Sequence, residues 1–320
     1  MNIGIASSRE YLFFYKTMLR SLVENNKDVK DEITVYYLNS DLTDKEVKAF
    51  GAWCNTIGLS LKYIFIDSNI LPEDISFSKS SIHALAAYYR LLLPYFVPED
   101  LERIIYLDGD MIVNGSITDL YETDFEDNII VAAPDVFCFG GYEKVNGRIG
   151  LPREHIYFNA GMLLINLTEF RKNYCMDDVF QCARDIQYNM IMGDQDILNV
   201  LCQNKVKYVP MLKYNLQVVW QTSNVNHSFV LQHDTRIIHY LYKRKPNNYL
   251  YANTLKKLFW KYAKMNGCYG RYLRFCAVNP ITTVIWKLYA KITNLEHDCE
   301  LDYYRFERLR LKERTVLNER

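Results

Sequence analysis

The sequence predicts an α/β fold in which a mainly parallel central sheet is flanked by helices. Three observations lead to this expectation. The chain has 320 residues, enough for a large hydrophobic core. Short apolar runs alternate with amphipathic helical patterns over its first half, as in strands joined by crossover helices. Polar residues directly follow several of these runs, where ligands bind in such sheets, beyond the carboxyl ends of the strands.

The elements follow from local patterns of apolar residues. Thr43 is predicted to cap the second helix, with Glu46 completing a capping box. The first half reads as strands at 3–6, 33–38, 61–66 and 103–107, with helices at 11–24, 43–53 and 80–95. The second half reads as strands at 129–133, 162–165 and 237–241, with helices at 167–190 and 195–202.

Bulk composition excludes several classes of protein. The 38 basic and 38 acidic residues balance to a formal net charge of zero, which argues against a globally basic nucleic-acid binder. The eight cysteines are scattered with no CxxC pair, so they are expected to be reduced thiols of a cytoplasmic protein. The sequence shows neither a signal-peptide pattern nor a run of 18 apolar residues, so no membrane-spanning segment is expected.

The segment YLDGDMIVNG ends the predicted strand at 103–107 with two aspartates, Asp108 and Asp110. On an extended backbone, carboxylates at i and i+2 point to the same side, and Gly109 between them permits close approach by a ligand. Such a pair suits a hard divalent cation such as Mg²⁺ or Mn²⁺. The alternative is a surface turn with two solvated aspartates.

A late strand, IIHYLYKRKP, presents His239 ahead of Lys243, Arg244 and Lys245. An imidazole could supply a further metal ligand, and the cations could bind phosphates. The alternative is a partly buried histidine beside a solvated basic turn.

Two further segments place polar groups at the ends of apolar runs. In FNAGMLLINL, Asn159 and Gly161 could bring an amide and close-lying backbone to a ligand, although a simple entry to a buried strand explains them too. In GDQDILN, Asp194 is predicted to cap the following helix. Capping does not require Gln195 and Asp196 as well, so these groups are candidates for contacts with sugar hydroxyls.

The chain after residue 236 differs in composition from the rest. Twelve Lys or Arg and no Asp or Glu occur between residues 236 and 291, with aromatic residues interleaved. Cations and aromatic rings together suit a surface that contacts anionic lipid headgroups. A helical cap with solvated cations is the alternative.

Together and in this order, the motifs resemble those of the family 8 retaining glycosyltransferases, in particular bacterial enzymes that build lipopolysaccharide. The resemblance rests on YYRLLLP (88–94), RIIYLDGDMIV (103–113), YFNAGMLLINL (157–167), GDQDILN (193–199) and IIHY…KP (237–246). It implies an A-type glycosyltransferase fold at residues 1–250, followed by a basic, aromatic-rich helical tail at 251–320. The implied activity is transfer of galactose or glucose from UDP-galactose or UDP-glucose to a glycan or lipid-linked acceptor, in the cytoplasm or on the inner face of the membrane.

By match to the family motifs, Asp108, Asp110 and His239 hold Mn²⁺, with Mg²⁺ as the alternative, and the ion grips the donor diphosphate. Lys245 and Arg90 match positions that reach the same donor. A divalent cation would neutralise the leaving UDP as a Lewis acid. The nucleotide-sugar site that the resemblance implies consists of Ala6, Ser8, Tyr11, Arg90, Asp108, Gly109, Asp110, Asn159, Ala160, Asp194, Gln195, His239 and Lys245.

The implied catalytic residues are Gln195, Asp194 and Asp135. Gln195 matches the position on the face of the anomeric carbon where a nucleophile would lie. An amide is a poor nucleophile, so retention in this family is often described as front-side displacement. The two-carboxylate scheme of retaining glycosidases therefore does not transfer.

Two positions depart from the family pattern. Where family members commonly carry acidic residues that meet uracil, this chain has Ala6, Ser7 and Ser8. Ser8 could still bond to the base and Tyr11 could stack on it. The family's small residue three positions after the histidine is Tyr242 here.

Two other functions remain as alternatives. One is a non-catalytic nucleotide-sugar-binding protein of the same fold. The other, a nucleotidyltransferase, is disfavoured because no glycine-rich loop bearing a lysine follows the first strand. Acceptor contacts are expected from loops at 68–83 and 136–152.

Overall fold

The computed structural model describes residues 1–29, 32–75, 82–135, 146–218, 227–241, 245–248 and 255–293. Parts of both predicted acceptor loops, the beginning of the predicted helix at 80–95, and Tyr242, Lys243 and Arg244 lie outside these residues. So does the end of the predicted tail, from residue 294 onward.

Two β-sheets organise the fold. Among the residues that the structure describes, seven strands form the main sheet and three form a smaller one. The strands in chain order are β1 Asn2–Ala6, β2 Thr34–Asn39, β3 Ser60–Phe65, β4 Arg103–Leu107, β5 Met111–Val113, β6 Ile130–Pro134, β7 Phe158–Asn166, β8 Val206–Tyr208, β9 Leu216–Val218 and β10 Ile237–Tyr240.

The main sheet has the strand order β3-β2-β1-β4-β7-β6-β8. Within it, β7 is antiparallel to both of its neighbours, whereas the other adjacent pairs are parallel. The prediction of a mainly parallel sheet is therefore confirmed. In the small sheet, β10 pairs antiparallel with β5 and parallel with β9.

Helices connect the strands and cover the sheet. They are α1 Leu12–Asn25, α2 Asp44–Thr56, α3 Ile82–Phe96, α4 Thr118–Tyr121, α5 Leu167–Asn173, α6 Met176–Ile186, α7 Asp194–Leu201, α8 Met211–Tyr214, α9 His227–Gln232, α10 Lys256–Met265 and α11 Tyr269–Thr293. In the part of the chain described, no helix combines the length and apolar character needed to cross a membrane.

Both faces of the main sheet are buried at β4, which explains why Ile104 to Leu107 form a continuous hydrophobic run. Alternate residues of a strand point to opposite faces. Ile105 and Leu107 accordingly join a core cluster that includes residues of α1. Ile104 and Tyr106 join a second cluster that includes residues of α3. The end of β4 is thereby fixed between two cores, and the aspartates that follow it start from a rigid point.

Several local predictions agree with the structure. The bounds of β4 are those predicted, and the capping box of α2 is present, with the Thr43 N–H donating to Glu46 Oε2 at 2.9 Å. The predicted tail contains the helix α10, whose buried Phe259 and Trp260 pack into the core cluster that contains residues of α1. The six cysteines that the structure describes are free thiols.

Other predictions are wrong. The helix expected at 167–190 is two helices, α5 and α6, because Tyr174 is extended and the Cys175 N–H donates to Asp178 Oδ2 at 2.7 Å, starting a new helix. The strand expected at 162–165 already begins at Phe158. Three strands of three residues, β5, β8 and β9, carry too little pattern to be recognised in the sequence.

Candidate active site

Three side chains that can bind a metal meet where the two sheets join. Asp108 follows β4 of the main sheet, and Asp110 precedes β5 of the small sheet. The chain turns at Gly109 and Asp110, so the predicted extended backbone is wrong. Pairing of β10 with β5 places His239 opposite Met111, beside Asp110. His239 Nε2 lies 3.3 Å from Asp110 Oδ1 and 3.8 Å from Asp108 Oδ2.

The donor set fits a divalent cation. One ligand atom each from Asp108, Asp110 and His239 lie within 4.8 Å of one another. Two carboxylates and an imidazole suit ions such as Mn²⁺. Gly161 of β7 passes directly behind this triad, since a Cβ there would lie 2.3 Å from His239 Cε1 and 2.9 Å from Asp108 Oδ2. The absence of a side chain at Gly161 makes room for the ligands.

Arg90 of α3 connects the triad to the start of α7. Its guanidinium lies 3.0 Å from Asp108 Oδ1 and 2.7 Å from Asp194 Oδ2, and it donates to the Ala160 carbonyl at 2.7 Å. It also lies over the Tyr106 ring, 4.7 Å from the centroid. Burial alone would lower the pKa of Arg90, but the two carboxylates outweigh it and raise that pKa. Arg90 is thus a permanent, buried cation.

Lys245 supplies a second cation on the other side of the triad. Its Nζ lies 3.1 Å from Asp110 Oδ2 and donates to the Tyr11 hydroxyl at 2.5 Å. Burial by itself would raise the pKa of Asp110, but Lys245 and His239 outweigh it and hold that pKa well below its usual range. Asp110 is therefore ionised at any working pH.

A group of amides and one carboxylate surrounds Gln195. Its Oε1 accepts from the Ala160 N–H at 2.9 Å and from Asn159 Nδ2 at 3.2 Å. Its Nε2 donates to Asp135 Oδ2 at 3.0 Å, and the same oxygen accepts from Asn159 Nδ2 at 2.9 Å. Because both amides are nearly fully buried, these contacts hold Gln195 in one orientation.

Asp194 does not cap α7, contrary to the prediction. Gly193 is the N-cap residue, with φ of 59° and no side-chain cap bond. Asp196, inside the first turn, binds the loop that precedes the helix, accepting from the Ile191 and Met192 N–H groups at 2.7 and 2.8 Å. Asp194 is thereby free to pair with Arg90. Burial raises the pKa of Asp194 to about 6 against the opposing effect of Arg90.

A cavity of about 160 Å³ lies in front of these groups. Its lining includes Ala6, Ser8 and Tyr11 at and after the end of β1, together with Asp110 and Lys245. Gly109 lines it too, with Tyr15 packed against its back, so a Cβ at that glycine would lie 3.0 Å from the Tyr15 ring. The cavity therefore combines aromatic rings with the charged groups of the metal-binding triad.

The structure brings the predicted site residues together around this cavity and the adjoining amide group. Two contributors were missed. Tyr106 donates to Asp108 Oδ1 at 2.9 Å, and Asn215 lies 3.2 Å from His239 Nδ1. Tyr106 belongs to the recognised strand, so its direction could have been inferred from strand alternation. No signal in the sequence marks Asn215.

Residues 2–250 of the chain match the family model described as Glycosyl transferase family 8. The chain is 27% identical to the glycosyltransferase GlyE of Streptococcus pneumoniae over 274 residues, which cover 82% of this chain and 61% of GlyE. It spans about three fifths of the length of GlyE and of GlyF from the same organism.

One relative named as a lipopolysaccharide glycosyltransferase is also similar, and so is one solved structure of a galactosyltransferase. The Escherichia coli lipopolysaccharide 1,2-glucosyltransferase is 27% identical, with 81% of this chain and 77% of that one covered. Among solved structures, galactosyltransferase LgtC in complex with donor and acceptor sugar analogues superimposes with a TM-score of 0.67 at 24% identity, covering 83% of this chain and 96% of LgtC. The likeness to LgtC shows a shared fold.

Proposed function

The chain belongs to glycosyl transferase family 8, and from this membership we propose that it transfers a hexose from a UDP-sugar to an acceptor. The donor is UDP-galactose or UDP-glucose, and the acceptor is a glycan or lipid-linked glycan, as in the synthesis of bacterial surface polysaccharide. The anomeric configuration of the hexose is retained. The observation that carries the proposal is the triad of Asp108, Asp110 and His239 with one cation on either side.

The charges of the site suit a nucleoside diphosphate. A divalent cation such as Mn²⁺, when bound by the triad, supplies Lewis-acid neutralisation of charge on the diphosphate. Lys245 adds a compact point charge, and Arg90, held by three partners, adds a planar one. Tyr11, which lines the same cavity beside Lys245, offers a ring on which a base can stack. Ser8 beside it can bond to the base edge.

The surroundings of Gln195 favour a positioning role over nucleophilic attack. Its oxygen already accepts from Ala160 and Asn159, so both lone pairs are engaged within the protein. Asp135 binds the amide nitrogens and is shielded by them. We propose that this group binds the donor sugar and that the acceptor attacks from the same face that UDP leaves.

The direct test is a donor screen. Purified protein is incubated with UDP-galactose, UDP-glucose and other UDP- and GDP-sugars, with Mn²⁺ or with EDTA, and release of the nucleoside diphosphate is measured. We expect release from one of the two UDP-hexoses in Mn²⁺ and none in EDTA. Undiminished release in EDTA would contradict the proposal. Tight binding of a UDP-sugar without release, in the presence of many acceptors, would favour the non-catalytic alternative.

We also propose that the C-terminal helices contact a membrane surface peripherally. A cavity of about 710 Å³ between α10 and α11 is lined by Lys257, Lys261 and Lys264 together with aromatic side chains. On α11, Leu273 and Ile281 are exposed by more than half. Cations beside exposed apolar side chains suit an anionic lipid surface.

Flotation with lipid vesicles tests the membrane contact. We expect the protein to float with vesicles that contain anionic phospholipid and to remain behind with purely zwitterionic ones, and high salt should weaken the binding. Replacing the three lysines by glutamate should abolish flotation. Equal flotation of this variant and the wild type would contradict the proposed contact.

A further inference from the structure

The two ring nitrogens of His239 have different surroundings. Nε2 faces Asp110 and Asp108, at 3.3 and 3.8 Å. Nδ1 lies 3.2 Å from Asn215 Oδ1 on the opposite side of the ring. A histidine binds a metal as the neutral imidazole, through the nitrogen that carries no proton. For Nε2 to bind a metal in the triad, the ring proton must therefore be on Nδ1.

A backbone amide determines which end of Asn215 faces His239. The Gly161 N–H can only donate, and it lies 3.0 Å from Asn159 Oδ1, so that atom must be the oxygen. The same oxygen lies 2.9 Å from Asn215 Nδ2, which must therefore be the amide nitrogen. The other terminal atom of Asn215, facing Nδ1, is then an oxygen that can only accept. Nδ1 must donate to it.

A second contact supports the same orientation. If Asn159 presents its oxygen to Gly161, its nitrogen points to Asp135, and the two atoms lie 2.9 Å apart. A carboxylate oxygen accepts, so this contact is satisfied only in the orientation that Gly161 requires. Two independent partners thus fix Asn159, and Asn159 fixes Asn215.

Burial shields these contacts from water. Asn215 is fully buried, and His239 and Asn159 are 2% and 3% exposed. Asn215 lies between α8 and β9, and β9 pairs with β10, which carries His239. The short parallel pairing thereby places the amide against the ring. Leaving a polar group here without its partner would destabilise the fold, because water cannot replace the lost hydrogen bond.

From these contacts we infer that Asn215 is a positioning residue that keeps the proton of His239 on Nδ1 and leaves Nε2 free for the metal. The inference rests on the metal site of the proposed function. Without the oxygen of Asn215, the neutral ring would place its proton on Nε2, where Asp110 Oδ1 accepts it. That proton blocks the metal. Loss of such outer partners weakens metal binding by about 10–100-fold.

The test is a titration with Mn²⁺ in the absence of any nucleotide sugar. Binding is monitored through the electron paramagnetic resonance signal of free Mn²⁺. Asn215→Leu removes both polar ends, and we expect about 10–100-fold weaker binding. Asn215→Asp keeps an oxygen facing Nδ1 while losing the donor to Asn159. We expect it to bind Mn²⁺ far more tightly than the leucine variant.

Asn26→Leu is the matched control. Asn26 is likewise buried, donating to the Leu22 carbonyl at 2.8 Å and accepting from the Ile117 N–H at 2.9 Å. Its replacement removes a comparable buried amide away from the metal site. We expect a lower Tm with unchanged Mn²⁺ affinity and unchanged donor hydrolysis.

The possible results separate this inference from the proposed function. If the wild type does not bind Mn²⁺, both fail. If the wild type and Asn215→Leu bind equally well, only the inference fails. Equal loss in the leucine and aspartate variants would show that Asn215 acts through packing alone, which also overturns it.

A measurement on the wild type covers the case in which the variants do not fold. With diamagnetic Mg²⁺ bound, the ¹⁵N spectrum of the imidazoles should show a proton on Nδ1 of His239, protected from exchange by burial. A protonated Nε2, or no protected Nδ1 proton, would overturn the inference.

Discussion

Replacing Asp110 by Asn is expected to abolish Mn²⁺-dependent donor hydrolysis. The carboxylate faces His239 Nε2 at 3.3 Å and Lys245 at 3.1 Å, and it is ionised because these groups hold its pKa low. An amide at this position offers one neutral oxygen and a nitrogen that cannot bind a cation. The loss should exceed about 100-fold, which is the upper end of the loss seen when a residue that binds a metal ligand, but not the metal itself, is removed. The loss is measured as slower release of the nucleoside diphosphate and as weaker Mn²⁺ binding.

Asp119→Asn is the matched control for this substitution. The Asp119 side chain is half-exposed and pairs with Lys213 at 3.0 Å, and such surface pairs contribute less than about 1 kcal/mol. Its removal should leave both hydrolysis and Mn²⁺ affinity unchanged. If Asp110→Asn kept wild-type hydrolysis with its sensitivity to EDTA intact, the metal would have to bind elsewhere.

Features coded by local pattern could be predicted from the sequence. β4 is recognised from the unbroken hydrophobic run Ile104 to Leu107, because both faces of the sheet are buried at this strand. The capping box of Thr43 and Glu46 involves residues three positions apart. Asp108 and Asp110 follow such a strand directly, so the sequence placed them correctly at the end of the sheet.

Features that depend on long-range contacts could not be predicted from the sequence. Asp194 is a good capping residue by local chemistry, but Arg90, 104 positions earlier in the sequence, pairs with it in the folded protein. Asn215 reaches His239 through pairing of β9 with β10, and a three-residue strand such as β9 leaves almost no periodicity to detect. The outer partners of the site were therefore the part that sequence reasoning missed.

The turn at Gly109 and Asp110 changes what the metal site depends on. If both aspartates lay on one extended strand, the main sheet alone would determine their positions. Here Asp108 leaves the main sheet and Asp110 enters the small one, where β5 pairs with β10. The distances in the triad therefore depend on how closely the two sheets approach each other. The Asp108 N–H donates to the Gly161 carbonyl at 2.9 Å, so β7 helps to set that approach.

Gly161→Ala is accordingly expected to disrupt the site from behind. The added Cβ would lie 2.3 Å from His239 Cε1 and 2.9 Å from Asp108 Oδ2, so the ring and the carboxylate must both move. The backbone of Gly161 does not have the positive φ that favours glycine, so the effect comes from the clash alone. We expect Mn²⁺ binding and donor hydrolysis to fall by about 100-fold or more, beyond the loss of one outer partner. The free energy of unfolding should fall by about 1–3 kcal/mol, as for other overpacked cores.

Gly51→Ala separates this clash from a general effect of adding a methyl group. Gly51 lies inside α2, and the nearest atom to an added Cβ is Leu61 Cδ2 at 3.8 Å, an ordinary contact. Alanine in a helix is favoured over glycine by about 0.5–1 kcal/mol, so this variant should be at least as stable as the wild type and fully active. Denaturant titration, Mn²⁺ binding and donor hydrolysis on both variants complete the comparison. If Gly161→Ala bound Mn²⁺ as tightly as the wild type does, the prediction would be wrong. The triad would then tolerate movement of His239, and the space that the triad needs would not explain the glycine at position 161 in β7.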